Sequence, residues 1–236
     1  MPVACEHGIA YHDGTVPSAV SAPEKSRAWL LVEHLGPWPA EPLEAALAPR
    51  LRTLATSADA LGIRVQLIRR PGRRTGWQPG HPVTVFAGWT AGDTPWLRRG
   101  AIGRGDTVDL DLEAVASGRQ PSFGVPVTEP VYLVCTHARR NACCGRFGLP
   151  LASALAQKYP AQVWESSHVG GHKYAANLVL LPHGHYYGPV QVDGAVAAIE
   201  AYRTGGISPD RYRGRAGQPR DEQQAEYTRL TESTHP

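Results

Sequence analysis

The sequence has little of several features that mark specialised classes of protein. Four cysteines in 236 residues are too few for a disulfide scaffold, so the cysteines that do cluster indicate metal ligands or redox groups. No apolar run is long enough to cross a bilayer. The N-terminal segment "MPVACEHGIAYHDG" lacks the basic-then-apolar order of a secretory signal. We therefore expect a globular protein of the cytoplasm.

Lysine is also scarce, and the charge pattern argues against two further classes. Only three of the 24 basic residues are lysines, the net charge is +3, and the arginines are spread along the chain. No basic block with interleaved aromatic residues is present, which argues against a nucleic-acid-binding protein. No positioned pair of carboxylates marks a glycosidase.

Strands and helices alternate in the first half. A short apolar run at 27–34 and two further segments, at 63–70 and 82–89, predict strands, and apolar spacing from Leu47 to Leu61 predicts a helix between the first two. Pro49 is expected to split or kink that helix. The segment 71–81, "PGRRTGWQPGH", is predicted to be a loop. This order indicates an α/β layer.

The second half repeats the alternation. A strand at 130–135 ends on Cys135, and helix 149–160, strand 161–166, a hairpin around "PHGH" and helix 193–206 follow. This β-α-β-β-β-α order fits a thioredoxin-like sheet. We expect an α/β protein with a loose lead-in at 1–25, a smaller α/β domain at 26–120 and a thioredoxin-like domain at 121–236. The last domain would end in a polar tail with a short exposed helix.

Four potential metal ligands are predicted to meet at one edge of the second sheet. Cys135 ends a strand, Cys144 follows nine residues later, and His168 and His172 follow the next strand around Gly170-Gly171. Two cysteines and two histidines can bind zinc in a closed tetrahedral site or a [2Fe–2S] cluster. Zinc knuckles usually space their cysteines C-x₂₋₄-C, whereas eight residues intervene here, and the spacing leaves both options open. His183 and His185 are expected to have only a surface role.

The motifs that carry these residues resemble the sucrase/ferredoxin-like family. They are "CTHARRNACC" and "HVGGHKYAANLVLLPHGHYYG", and "RAWLLVEHLGPWP" is similar to the family's opening strand. The resemblance implies a C-terminal thioredoxin-like ferredoxin domain with a [2Fe–2S] cluster. Members with the C-x₈-C and H-x₃-H spacing would place its ligands at Cys135, Cys144, His168 and His172. Some bacterial relatives instead carry a cysteine and an aspartate where this chain has Ser166 and His172.

The resemblance further implies a one-electron carrier rather than an enzyme with its own substrate, and a redox partner protein, with no nucleic acid and no membrane. Cys143 would be a spare thiol beside the cluster, or an alternative ligand to Cys144. Three other functions stay open: a structural zinc protein with the same four ligands, a thiol–disulfide protein that uses Cys143 and Cys144, and a non-catalytic binding module. The thiol–disulfide function would lack the C-x-x-C motif that such chemistry prefers.

Overall fold

Ten strands form one mixed sheet in the computed structural model, which describes residues 20–45, 47–72, 82–103, 106 and 108–232. The order across the sheet is β10-β9-β8-β6-β7-β2-β1-β3-β4-β5. The strands are β1 (Ala28–Glu33), β2 (Arg64–Arg69), β3 (Val83–Trp89), β4 (Trp96–Ile102), β5 (Val125–Pro126), β6 (Val131–Cys135), β7 (Val163–Ser166), β8 (Leu178–Leu181), β9 (His185–Tyr187) and β10 (Tyr212–Arg215).

Five α-helices connect or flank these strands. They are α1 (Pro49–Ala60), α2 (Leu112–Ala116), α3 (Ala142–Lys158), α4 (Val192–Arg203) and α5 (Arg220–Glu232), with short 3₁₀ helices at Pro42–Glu44 and His172–Tyr174. Within the described ranges, no helix combines the length and the apolar character that a membrane crossing requires.

The same topology occurs in both halves of the chain. In the first half, β1 pairs with β2 in parallel and with β3 antiparallel, and β3 pairs with β4. In the second half, β6 pairs with β7 in parallel and with β8 antiparallel, and β8 pairs with β9. Helices α1 and α3 occupy equivalent crossovers, as parallel neighbours require. Both halves therefore have the order β-α-β-β-β-α.

A short antiparallel pairing between β2 and β7 joins the halves into one sheet. Ile68 lies opposite Ser166, and Arg69 lies opposite Glu165. Arg69 and Glu165 form an ion pair of 2.8 Å whose side chains are 5% and 7% exposed. The seam between the halves is therefore in the interior of the protein, directly beside the end of β7.

Most of the predicted elements are present, but two helices begin elsewhere. Pro49 does not kink α1; it is the first residue of that helix, where its missing N–H costs nothing. Helix α3 begins at Ala142, seven residues before the predicted start at 149. Strands β4, β5 and β10 and helix α2 were not predicted. Residues 1–19 of the predicted lead-in and 73–81 of the predicted loop lie outside the described residues.

Candidate metal centre

Cys135 lies at the carboxyl edge of the sheet, on the last residue of β6. All five residues of this strand are buried, because β6 is a central strand covered on both faces. Its parallel partner β7 ends opposite it, with Ser166 beside Cys135. His168 follows two residues later, so both side chains leave the sheet at the same edge. Carboxyl edges of parallel strands are where α/β proteins usually place their sites.

Helix α3 brings Cys144 to this edge. The Asn141 side chain accepts a hydrogen bond of 3.0 Å from the Cys143 backbone N–H and caps the helix, so Cys144 lies in the first turn. Two glycines let the helix approach the sheet closely. A Cβ on Gly148 would overlap the Cys135 carbonyl oxygen, and one on Gly145 would overlap the Ala138 side chain. The glycine content that resembles a loop in the sequence thus permits helix packing.

Three of the four predicted ligands converge. The Cys135 and Cys144 Sγ atoms lie 3.9 Å and 3.7 Å from Nδ1 of His168. All three ligand atoms lie within 4.8 Å of one another, and the two thiols are buried while His168 is partly exposed. Such a set of two sulfur atoms and one imidazole nitrogen is suited to zinc or iron.

The thiols do not ionise independently. A hydrogen bond with the Cys144 thiol, followed by the neighbouring His168, holds the pKa of Cys135 well below its usual value despite burial. The same hydrogen bond, and then burial, raise the pKa of Cys144. Cys135 is therefore the more acidic of the two thiols, and a cation that binds both as thiolates displaces their protons.

The fourth predicted ligand, His172, lies beside this group without belonging to it. Its ring centroid is 6.0 Å from that of His168, and it opens the 3₁₀ helix His172–Tyr174. Gly170 and Gly171 precede it with φ values of 100° and 66°, in the left-handed region that favours glycine. A Cβ on Gly171 would overlap the guanidinium of buried Arg213. The turn that carries His172 therefore depends on glycine in both conformation and space.

Residues of the first half hold the His168 backbone, which the sequence did not indicate. The Arg64 guanidinium and the Gln66 amide of β2 donate hydrogen bonds of 3.2 Å and 3.3 Å to the His168 carbonyl oxygen. His137 accepts a hydrogen bond of 2.9 Å from the His168 backbone N–H through Nδ1. Its Nε2 is then the protonated nitrogen and donates to the Pro39 carbonyl oxygen at 2.7 Å. Burial lowers the pKa of His137, which keeps it neutral in this role.

Three other residues with predicted roles lie near or beyond this group. Cys143 is buried in the first turn of α3 and is disulfide-bonded, so it is not a spare thiol. The expected surface role of His185 is wrong, because it is only 3% exposed and lies in β9 among Tyr202 and Tyr212. Both of its ring nitrogens lack a hydrogen-bond partner within the part of the chain that the structure describes. Burial holds its pKa well below the usual value. His183 is half-buried and bonds the Tyr202 hydroxyl at 2.6 Å through Nδ1.

The convergence of two buried thiols and an imidazole at a sheet edge defines an α/β protein with a candidate metal centre. Comparison with known families agrees with this class: the sequence model of the sucrase/ferredoxin-like family matches residues 24–214. The chain belongs to this family. No curated protein and no solved structure matches the chain significantly.

Proposed function

We propose that this chain is a one-electron transfer protein that holds a [2Fe–2S] cluster through Cys135, Cys144, His168 and His172. The observation that carries the proposal is the convergence of two buried thiols and His168 at one sheet edge, in a chain of the sucrase/ferredoxin-like family. In this proposal the second half is a thioredoxin-like ferredoxin domain, and the first half is a supporting α/β domain.

The donor set fits an iron–sulfur cluster in its chemistry. Thiolates are the usual ligands of such clusters, and two histidines can replace two of them. Cys135 is already the more acidic thiol, and the glycines before His172 leave that turn free of side chains that would obstruct an approach to His168. When bound, the cluster accepts and returns one electron.

The residues around the ligands determine how the protein supports that exchange. Full burial of Cys135 and Cys144 excludes water from the thiolates. Arg64 and Gln66 donate to the His168 carbonyl oxygen and His137 accepts from the His168 N–H, so the backbone of this ligand is held on both sides. A rigid ligand frame reduces rearrangement between the oxidised and reduced states. Neutral imidazoles bring less negative charge than thiolates, so we expect a reduction potential above that of all-cysteine ferredoxins.

A structural zinc site is the second candidate, and the ligand distances favour it. A tetrahedral zinc ion with usual bond lengths separates a sulfur and a nitrogen ligand by about 3.5–3.6 Å. The distances of 3.7 Å and 3.9 Å observed here are close to that value. A two-iron core is larger than one ion and requires at least one ligand loop to move outward. In this alternative, zinc bound to the same residues links α3 to the sheet and has no redox role.

The visible spectrum of protein purified without oxygen, with iron, sulfide and zinc assayed on the same sample, tests the proposal. A red-brown protein with about two irons and two sulfides per chain supports the cluster. A colourless protein with about one zinc overturns electron transfer and establishes the zinc site.

Two adjacent cysteines provide a matched pair of variants for this assay. Cys144→Ala should abolish metal binding, because it removes a ligand atom from the convergent group. Cys143→Ala should retain the metal, because this residue lies outside that group. The reverse result would contradict the assignment of Cys144 as a ligand.

A further inference from the structure

The segments that carry the candidate ligands have an unusual balance of charge. Between Cys135 and Ala175 the sequence contains five basic residues and one acidic residue. That acidic residue, Glu165, is buried and paired with Arg69. One of the basic residues, Lys158, lies at the far end of α3 and pairs with Glu200. The four that remain are close to the ligands in sequence: Arg139, Arg140, Arg146 and Lys173.

These residues lie around the metal centre in the folded protein. Arg139 and Arg140 are on the exposed turn between Cys135 and α3, and Arg146 is exposed on α3 two residues after Cys144. Lys173 is exposed directly after His172, in the 3₁₀ helix that contacts α3. Arg140 is paired with Glu41 of the first half. We define the basic face as Arg139, Arg146 and Lys173, for which the structure records no carboxylate partner among the described residues.

An apolar groove adjoins the basic face. It encloses about 430 Å³ and has Leu35, Trp38 and Leu149 in its lining, with Arg139 beside them. Leu149 is 36% exposed, which is high for a large apolar side chain. It lies three residues after Arg146 on α3, so both occupy one side of the helix. An apolar centre beside basic residues has the composition of a protein interface, and this favours a macromolecule over a small anion.

We propose that the basic face and this groove dock a redox partner protein through a carboxylate-rich surface. The proposal rests on the proposed function for the redox character of that partner. The docking itself depends only on charge and shape. Complementary charge would steer the partner to the side of the protein where His172 lies, and would speed association most at low ionic strength.

The scarcity of lysine permits a direct test that does not need a bound metal. The chain has only three lysines, Lys25, Lys158 and Lys173, and only Lys173 belongs to the basic face. A carbodiimide joins a carboxylate to a lysine amine that it contacts, with loss of water. We would treat the full-length protein with an all-glutamate decapeptide and carbodiimide at low ionic strength. Mass spectrometry would then give the yield at each lysine.

We expect Lys173 to receive most of the peptide, on the order of tenfold more than Lys25 or Lys158. The yield should fall severalfold at about 0.15 M salt, where the Debye length is about 8 Å. Arg139→Gln/Arg146→Gln should reduce the yield at Lys173 by a similar factor. The control Arg52→Gln/Arg119→Gln removes the same charge from two exposed arginines elsewhere and should leave the yield unchanged.

Equal labelling of the three lysines, or equal loss in both double variants, would overturn the docking proposal. A second measurement applies to protein that contains the cluster. Oxidation of the reduced protein by ferricyanide, which takes one electron and becomes ferrocyanide, should slow with added salt, and oxidation by cationic hexaammineruthenium(III) should not. A colourless protein that still labels at Lys173 would refute electron transfer and retain the docking face. A coloured protein with uniform labelling of the three lysines would support the cluster and overturn the docking face.

Discussion

The buried ion pair between Arg69 and Glu165 should make a large contribution to stability when only one partner is removed. The two side chains are 5% and 7% exposed and lie 2.8 Å apart. The Glu165 carboxylate also accepts a hydrogen bond of 3.1 Å from the Thr136 hydroxyl. In Glu165→Gln the Arg69 guanidinium would stay in the interior with a hydrogen bond to the Gly36 carbonyl oxygen and a stacking contact with Trp38, but without a countercharge.

The expected loss of stability comes from the unpaired charge of Arg69 that remains in the interior. Removal of one member of a buried pair leaves an uncompensated charge and typically costs about 3–5 kcal/mol. The Trp38 contact, with the guanidinium 4.0 Å from the ring centroid, offsets only a part, about 0.5–2 kcal/mol. We therefore expect Glu165→Gln to lower the free energy of unfolding by about 3 kcal/mol.

Urea denaturation of a double-mutant cycle would measure this quantity. The cycle comprises Arg69→Met, Glu165→Gln and the double variant, in which neither charge of the pair remains. The double variant should be more stable than the sum of the single changes predicts, with a coupling of about 2 kcal/mol. Glu200→Gln breaks the exposed pair with Lys158 and serves as the control, with little expected effect. Additive single changes, or a cost of Glu165→Gln below about 1 kcal/mol, would refute the reasoning.

Three further predictions follow from the site and from the buried histidine. Gly148→Ala should destabilise the protein by about 1–3 kcal/mol and weaken metal binding, because its Cβ would meet the Cys135 carbonyl oxygen; Ser153→Ala on the exposed side of α3 is the control in denaturation and metal assays. His185 stays neutral in the fold while the unfolded chain binds a proton near pH 6.5, so stability should fall as pH drops below about 6.5. His185→Phe should flatten that dependence in urea titrations at several pH values, and an unchanged slope would contradict the assignment. His172→Cys should keep a cluster and lower its reduction potential in a spectroelectrochemical titration, because a thiolate replaces a neutral ligand.

Local sequence patterns identify the elements that bury continuous apolar runs. Strands β1, β3 and β6 are of this kind. Local patterns fail where a residue is required by a contact with a distant part of the chain. Gly145 and Gly148 resemble loop residues, but they allow α3 to approach Cys135 and Ala138. Strand β4 has two adjacent arginines, a glycine and an alanine in its partly exposed middle, and this hides it from a search for apolar runs.

The candidate site, like the fold, was predictable from the sequence only in part. The residue types and spacing of the thiols and imidazoles were visible in the sequence, and three of the four converge. The support for His168 was not visible, because Arg64 and Gln66 lie about a hundred residues away and have the appearance of ordinary strand residues. The available signal was their polarity at alternate positions of a predicted strand. His137 could have been considered from its position two residues after Cys135.

The seam between β2 and β7 also has a consequence for biosynthesis. As the chain leaves the ribosome, β2 is complete long before β7 is made, so the first half must wait with an open strand edge that other chains could pair with. Arrival of β7 closes that edge and, in the same step, places His168 against Arg64 and Gln66. A metal that binds Cys135, Cys144 and His168 would therefore load only after β7 and His168 have been made. A nascent chain that held a metal at this site would already have covered the open edge of β2.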